Sequence, residues 1–399
     1  MEKPALWKLS PEVVTKPWGL LHESAREITG IEVGLGEFWL ASAQTGPGNY
    51  SNTVSDPVLR KTLAELLAEA ASEGEKALEQ LIGSGPLRHL REKPHRGKTE
   101  AWCVRMARGR TGVVAGPRTH EDAERLQDII QTEGLRPQVE SWSEEVRELF
   151  GIIEPLQGGE VFMVPAGTLH TMFAIGPDSR LIIDELQQGY GEALLPTLSK
   201  ILMVQDDLLS VQVHPDDATV ADAAEGRLRI EQDLQDNPTV RVYDFGRRPG
   251  EYPELGFRLT DPEAGLRLVE PLRVKVADGH TCEVMLAHRS LARNRHSLAA
   301  GAAGDLGPRH GSYRVLHCLD GEVELRVPGR AMALTRGETA FVPGCLEEEL
   351  SLMARMDCEL FDDAFPDITV LSSFLGWHGA QAGQIEALLS PPRALPPEE

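Results

Sequence analysis

The sequence predicts a mainly β protein, built as a β-barrel or jelly roll that carries a helical insertion. Most of the chain consists of short stretches of strand character, punctuated by Gly, Pro and Asp. Helical periodicity is concentrated in a few segments of the first half. A length of 399 residues exceeds a typical single hydrophobic core, so we expect two structural units. The predicted strands include residues 161–164, 181–186, 209–214, 240–243, 315–319 and 322–327.

Three segments have the pattern of helices. The first covers residues 56–82, where Asp56 is a candidate N-cap, Pro57 takes the first helical position and leucines recur at helical spacing. A second helix is predicted for residues 119–130 and a third for residues 143–150. Because the leucines of the first segment share one face, we expect that face to be buried.

A weakly marked joint divides the chain. The stretch DPEAGLRLVEP at residues 261–271 separates a predicted first unit, residues 1–262, from a smaller all-β unit, residues 263–390. The helical insertion is placed in the first unit, near residues 56–92. The Pro-rich, charged tail at residues 391–399 is expected to be disordered.

The charge balance excludes polyanionic partners. The chain has 40 Lys and Arg against 62 Asp and Glu, a formal net charge of -22, which would repel nucleic acid and anionic membranes. A small anionic substrate stays possible, because a few basic side chains focused in a cleft can reverse the local potential. The sequence leaves a monomer and a homodimer both open.

Cysteine usage and hydropathy indicate the compartment. The five cysteines are an odd number without a C-x-x-C pair, which suits a reducing cytoplasm better than a disulfide framework. The first ten residues lack the apolar run of a signal peptide, and no stretch approaches the ~18 consecutive apolar residues of a membrane span. We therefore expect a cytoplasmic protein.

One motif specifies the type of barrel. Residues 159–170, GEVFMVPAGTLH, have the spacing G-x5-P-x-G-x2-H. A strand would end at Val164, Pro165 and Gly167 would shape a tight turn, and His170 would begin the next strand pointing inward. A histidine at a barrel mouth is a natural metal ligand, although a lone one is equally well a hydrogen-bonded core imidazole. The full spacing resembles the second half of the cupin signature.

The frame recurs in the second unit as GETAFVP, residues 337–343, which suggests two cupin-like halves, a bicupin. In this copy Cys345 matches the position of Gly167 and Glu348 matches that of His170, so the metal-binding features are missing. The second half is therefore interpreted as structural. Its histidines are expected on the surface or in the core: His288, His296, His310 and His317.

Two further segments carry candidate ligands. In LSVQVHP, residues 209–215, the strand period of two places Ser210, Gln212 and His214 on one face. The same period places Lys98 and Glu100 of GKTEAW on one face. Such faces can line a barrel interior, but a half-exposed strand with its polar side in water has the same pattern.

Together these segments resemble the class I mannose-6-phosphate isomerases, which are cupin-type, zinc-dependent enzymes. The resemblance covers most of the first ~260 residues. Its phrases are KPWG at 16–19, GEFW at 36–39, GKTEAW at 97–102, VPAGTLH at 164–170, SVQVHPDD at 210–217 and RVYD at 241–244.

The resemblance implies one metal site. Carried over residue by residue, it makes Gln212, His214, Glu100 and His170 the ligands of one divalent ion, usually Zn²⁺ in this family. Two imidazoles, a carboxylate and an amide oxygen suit zinc and leave room for water or substrate oxygens.

The resemblance also implies roles around the metal. Arg241 matches the catalytic arginine of the family, Lys98 a lysine beside the substrate, and Ser210 a serine near the phosphate. Arg247 or Arg248 would help to hold that dianion, since a guanidinium fork fits phosphate oxygens.

The order of the segments departs from the family. There the Gln-x-His segment precedes GKTE, whereas here it follows both GKTE and VPAGTLH, as if residues 189–236 were permuted downstream. Ligands converge in space rather than in sequence, so the same site can still assemble. In addition, Asn237, next to Asp236, stands where the family usually has an acidic residue.

The expected reaction interconverts mannose 6-phosphate and fructose 6-phosphate through a cis-enediolate, with the metal and Arg241 stabilising the oxyanion. The proton-transfer base stays unassigned. One alternative is an isomerase of another sugar phosphate, such as glucose 6-phosphate. Another is a noncatalytic, metal-containing protein that binds or senses sugar phosphates, which the permuted order and Asn237 favour. A structural bicupin of the seed-storage kind explains the fold but not the ligand set.

Overall fold

The chain is mainly β, as the sequence predicts. Within the described residues no helix is both long and apolar enough to cross a membrane. The computed structural model of the protein describes residues 4–20, 35–45, 49–56, 59–190, 193–228, 238–247, 250–288, 290–304, 306 and 311–365.

The helices of this part of the chain lie mostly in its first 260 residues. They are α1 (Leu63–Glu73), α2 (Glu75–Ile82), α3 (Ser84–Glu92), α4 (His120–Glu133), α5 (Glu144–Leu149), α6 (Asp217–Ala224) and α7 (Pro253–Leu259), with short 3-10 helices at Val139–Ser141 and Gly344–Glu349.

The strands run through both halves of the chain. They are β1 (Trp7–Ser10), β2 (Glu12–Val14), β3 (Glu37–Ala41), β4 (Thr53–Val54), β5 (Glu100–Ala115), β6 (Gly151–Ile153), β7 (Val161–Val164), β8 (His170–Gln188), β9 (Thr197–Gln205), β10 (Asp207–Leu208), β11 (Val211–Val213), β12 (Val240–Tyr243), β13 (Arg267–Val269), β14 (Leu272–Ala277), β15 (His280–His288), β16 (Leu291–Leu298), β17 (Ala303–Gly304), β18 (Arg314–Asp320), β19 (Glu322–Val327), β20 (Arg330–Thr335), β21 (Thr339–Val342), β22 (Ser351–Ala354) and β23 (Cys358–Ala364).

The first sheet is organised by two long strands. β5 and β8 pair antiparallel over nearly their whole length, and β9 continues the sheet on the other side of β8. The short strand β11 pairs with both β8 and β12, so it joins the beginning of β8 to the strand that carries Arg241. This arrangement gathers side chains from distant parts of the sequence at one end of the sheet.

The second half of the chain forms two sheets around an apolar core. An eight-stranded sheet runs in the order β14-β15-β16-β23-β18-β21-β1-β4, and a four-stranded sheet in the order β17-β22-β19-β20. Leu316 and Leu360 of the larger sheet pack with Leu325 and Leu352 of the smaller one. The larger sheet includes the amino-terminal strand β1, which pairs with β21, so strand pairing crosses the predicted division at residue 262.

The helical insertion packs on the eight-stranded sheet. Buried leucines of α1 and α2 contact Tyr313, Val315 and Phe341. The prediction of one helix over residues 56–82, capped by Asp56, was wrong in its bounds: Gly74, with a φ of +119°, divides the segment into α1 and α2, and Asp56 is not the cap. Thr62 is the N-cap and forms a capping box with Glu65, a stronger start signal than a lone aspartate. Asp56 Oδ1 instead accepts a hydrogen bond from the backbone N–H of Leu59, 3.2 Å away.

The other helix predictions are confirmed. Thr119 and Ser143 are the N-caps of α4 and α5, each with its hydroxyl accepting from a backbone N–H of the first turn. Several residues for which the sequence makes predictions lie outside the described residues, so these predictions are not tested: Pro57, Asp236, Asn237, Arg248, His310 and the tail 391–399.

The histidines of the second half include core residues, as expected. His296 is completely buried, and its Nδ1 lies 3.0 Å from His280 Nε2. The other ring nitrogen of His296 lies 3.7 Å from the carboxylate of Asp362, whose second partner is Arg314. Burial opposes protonation of His296, but the neighbouring Cys282 and Asp362 raise its pKa to about 9.

We predict that this histidine makes stability depend on pH. The pKa of His296 is raised above the ordinary 6.5, so its contribution is complete below pH 6.5 and is lost as pH rises through about 9. The contribution is on the order of 3 kcal/mol. The free energy of unfolding, measured with denaturant at pH 6.5 and at pH 9, should fall between these two pH values in the wild-type protein. In His296→Gln this fall should be smaller by that amount. An equal fall in the wild-type protein and the variant would contradict the prediction.

Candidate metal centre

Three buried side chains from separate segments meet at the end of the first sheet. Glu100 begins β5, His170 begins β8, and His214 directly follows β11. Glu100 Oε1 lies 3.1 Å from His214 Nε2, and Glu100 Oε2 lies 3.7 Å from His170 Nε2. One ligand atom of each residue lies within 4.8 Å of the others, a grouping found once among the described residues. The spacing suits ligands of a single ion.

Gln212 completes the group. In the sheet it stands directly opposite His170 on one side and Arg241 on the other. Its amide nitrogen lies 3.2 Å from His170 Nε2. Rotation of the amide by 180° would place the oxygen there, because the two orientations occupy nearly the same space.

The ionisation states suit a metal. Burial, followed by the positive charge of Lys98, lowers the pKa of His214 to about 3. Burial also lowers the pKa of His170. For Glu100, burial acts in the opposite direction, but the positive charge of Lys98 holds the pKa of the carboxyl well below its usual range. Two neutral imidazoles and one carboxylate are the forms that bind divalent ions.

Each imidazole is oriented by its second nitrogen. His170 Nδ1 lies 2.9 Å from Thr168 O, and His214 Nδ1 lies 3.2 Å from Pro238 O. A carbonyl oxygen accepts only, so each Nδ1 carries the proton and each Nε2 presents its lone pair toward Glu100. His214 Nε2 is buried without a hydrogen bond of good geometry, which is the environment of a ligand atom.

Local turns hold the three segments together. Gly167, in the turn of the cupin-like motif, has a φ of +87° and donates its N–H to His214 O over 2.7 Å. A Cβ at Gly97 would lie 2.2 Å from Pro215 O, so only glycine permits this approach. Asp217 Oδ1 accepts from Gly97 N and from Gln188 Nε2, each at 3.0 Å.

A cavity beside the cluster contains most of the other predicted site residues. Lys98, Ser210 and Arg241 all line it. Lys98 Nζ lies 2.5 Å from Glu100 Oε1. Arg247, by contrast, is not part of this lining: its guanidinium pairs with Asp207 and Asp244, each at 3.1 Å.

The same cavity holds further charged residues, outside the set that the sequence predicts. Lys200 Nζ lies 3.3 Å from Glu185 Oε1, and Lys16 Nζ lies 3.1 Å from Glu37 Oε1. Lys16 and Glu37 belong to the phrases KPWG and GEFW, which could have indicated them. Glu185 and Lys200 are charges within otherwise buried strands, a pattern that itself signals function.

The pKa values of Glu185 and Lys200 move in the same direction. Burial and the nearby Glu100 raise the pKa of Glu185 to about 7, despite the opposing lysines. For Lys200, burial acts against the charge, but Glu185 and Glu37 raise its pKa. At neutral pH the cavity therefore holds a charged lysine beside a carboxyl group that can both give and accept a proton.

Comparison with known proteins identifies the fold. Neither a protein-family model nor a curated protein matches the chain. Its structure is similar to mannose 6-phosphate isomerase from Bacillus subtilis, with a TM-score of 0.55, 16% identity, and coverage of 90% of this chain and 99% of that one. A mutant phosphomannose isomerase from Salmonella typhimurium is similar with a TM-score of 0.51, 13% identity, and coverage of 91% and 100%. The fold is that of these isomerases.

We predict that the cluster binds one divalent ion. His170→Ala or His214→Ala should each lower zinc stoichiometry, measured by elemental analysis after dialysis, from one per chain to near zero, because each change removes one of the two nitrogen ligands and leaves mainly oxygen ligands, which suit zinc less well. His288→Ala, which replaces a histidine of the second half, is the matched control and should keep the ion. Full zinc occupancy in His170→Ala and in His214→Ala would exclude this site.

Proposed function

We propose that the chain is a metal-dependent aldose-ketose isomerase that interconverts mannose 6-phosphate and fructose 6-phosphate. The observation that carries the proposal is the meeting of Glu100, His170 and His214 beside a cavity that Lys98 and Arg241 line. The shared fold supports it.

The residues fit a single divalent ion, and Zn²⁺ suits the donor set best. Glu100, His170, His214 and Gln212 would hold it. When bound, such an ion polarises a carbonyl or hydroxyl oxygen as a Lewis acid. The neutral imidazoles and the carboxylate of this chain supply the ligand forms that it requires.

The basic side chains of the cavity suit an anionic sugar. Lys16, Lys98, Lys200 and Arg241 line it together with Glu37, Glu100 and Glu185, so basic groups outnumber acidic ones there, although the chain as a whole is strongly acidic. Partly buried cations attract a phosphate dianion more strongly than exposed ones, because the surrounding protein screens them less. Arg241 would also stabilise the oxyanion that develops as the enediolate forms.

Glu185 is the group that we propose moves the proton. Aldose-ketose isomerisation takes a proton from one carbon and returns it to the neighbouring carbon, so one carboxyl group can act first as base and then as acid. Burial raises the pKa of this carboxyl above its ordinary value, which suits both steps at neutral pH. The partner Lys200 would hold the ionised form in place at 3.3 Å.

The activity is tested by supplying mannose 6-phosphate to the zinc-loaded protein and detecting fructose 6-phosphate. We expect turnover, its loss after chelation and its return with added Zn²⁺. Stoichiometric zinc without turnover would contradict the proposal. Glucose 6-phosphate in a parallel assay then separates an isomerase of another sugar phosphate from a protein that only binds.

We further predict that Arg241→Lys lowers kcat by about a hundredfold, because a lysine does not reproduce the planar pair of donors that stabilises an oxyanion. Arg110→Lys is the control: Arg110 lies on the same strand as Glu100 but pairs with Glu154 outside the cavity. Equal rates for both variants would remove Arg241 from the mechanism.

A further inference from the structure

A buried arginine of the second half of the chain contacts the first sheet. Arg293 of β16 is 1% exposed, and its Nε and Nη2 atoms bind the two carboxylate oxygens of Asp363 at 2.6 and 2.7 Å. Its guanidinium also lies over the ring of Phe361, 4.6 Å from the centroid. These contacts leave the guanidinium one orientation.

From this orientation Arg293 contacts two neighbouring strands of the first sheet, β8 and β9. Nη1 donates to Asp184 O over 3.0 Å, on β8, and Nη2 donates to Ser199 Oγ over 3.1 Å, on β9. Asp184 and Ser199 directly precede Glu185 and Lys200. Successive side chains of a strand point to opposite faces, so the arginine holds the back of the sheet where Glu185 and Lys200 face the cavity.

A second contact fixes the same point. Arg105 Nε donates to Asp184 Oδ2 over 2.8 Å, and Arg105 Nη2 lies 3.3 Å from His317 Nε2 of the second half. The carbonyl and the carboxylate of Asp184 are therefore both held from behind. On the front, Glu185 and Lys200 stand directly opposite each other in the ladder.

We propose that Arg293 is a positioning residue that sets the Glu185–Lys200 pair of the cavity. This inference rests on the proposed function, because it assigns the second half of the chain a role in that reaction. Catalytic groups lose effectiveness when they are displaced by about 1 Å. Because Arg293 contacts the residue before Glu185 and the residue before Lys200, it can fix both side chains without touching the substrate.

Three variants separate positioning from folding. Arg293→Met combined with Asp363→Leu removes both buried charges together, since an unpaired Asp363 alone would threaten the fold. Ser199→Ala removes only the contact to β9. Arg295→Gln is the matched control, because Arg295 lies two residues further along the same strand but binds Glu359 instead of Asp363.

The decisive measurement is a double-mutant cycle with Lys200→Met. The Arg293→Met/Asp363→Leu variant should lose about tenfold in kcat/KM while its zinc content stays unchanged. Adding Lys200→Met to this variant should lower kcat/KM only a little further, because both changes remove the same contribution. Ser199→Ala should show a smaller loss of the same kind, and Arg295→Gln none. Losses that multiply independently would overturn the inference.

Hydrogen exchange by mass spectrometry separates this inference from the proposed function. Arg293→Met/Asp363→Leu should exchange faster at residues 184–188 and 197–201, and Arg295→Gln should not. If wild-type protein lacks isomerase activity, the proposed function fails and this exchange pattern alone decides whether Arg293 holds the pair. Unchanged exchange there refutes the positioning role, whatever the activity.

Discussion

The structure of the site depends on a charge that the fold has buried. Glu100 is 1% exposed, and a carboxylate in such surroundings destabilises the protein by several kcal/mol unless charges and donors surround it. Lys98 forms an ion pair with Oε1, and the indole N–H of Trp102 donates a hydrogen bond to Oε2. The imidazoles of His170 and His214, kept neutral by their own burial, lie beside the carboxylate, with their Nε2 atoms 3.7 and 3.1 Å from its oxygens.

Strand pairing, and not order along the chain, brings these groups together. The three-residue strand β11 pairs with β8 and β12 at once, which places Gln212 between His170 and Arg241. The contacts of Gly97 and Asp217 then fix the segment after His214 against the start of β5. A site built in this way does not depend on which segment comes first, which is why the predicted permutation is physically acceptable.

Local signals could be predicted from the sequence, and contacts between distant strands could not. Thr119 caps α4 through bonds made within four residues, and any such cap can be recognised locally. The prediction that Asp56 is an N-cap was wrong because Thr62, a few residues later, is the better cap. The mainly β class and the meeting of the motif residues followed from strand patterns and family resemblance. The pairing of Glu185 with Lys200 could not be found in this way, since only the pairing of β8 with β9 places them together.

The central claim is that Glu100, His170 and His214 share one metal ion, and a crystal of the zinc-loaded protein measured at the zinc absorption edge tests it most directly. A shared site should give a single strong anomalous peak about 2.0–2.2 Å from two imidazole nitrogens and a carboxylate oxygen. A peak bound by cysteine sulfur, or one located in the second half of the chain, would contradict it.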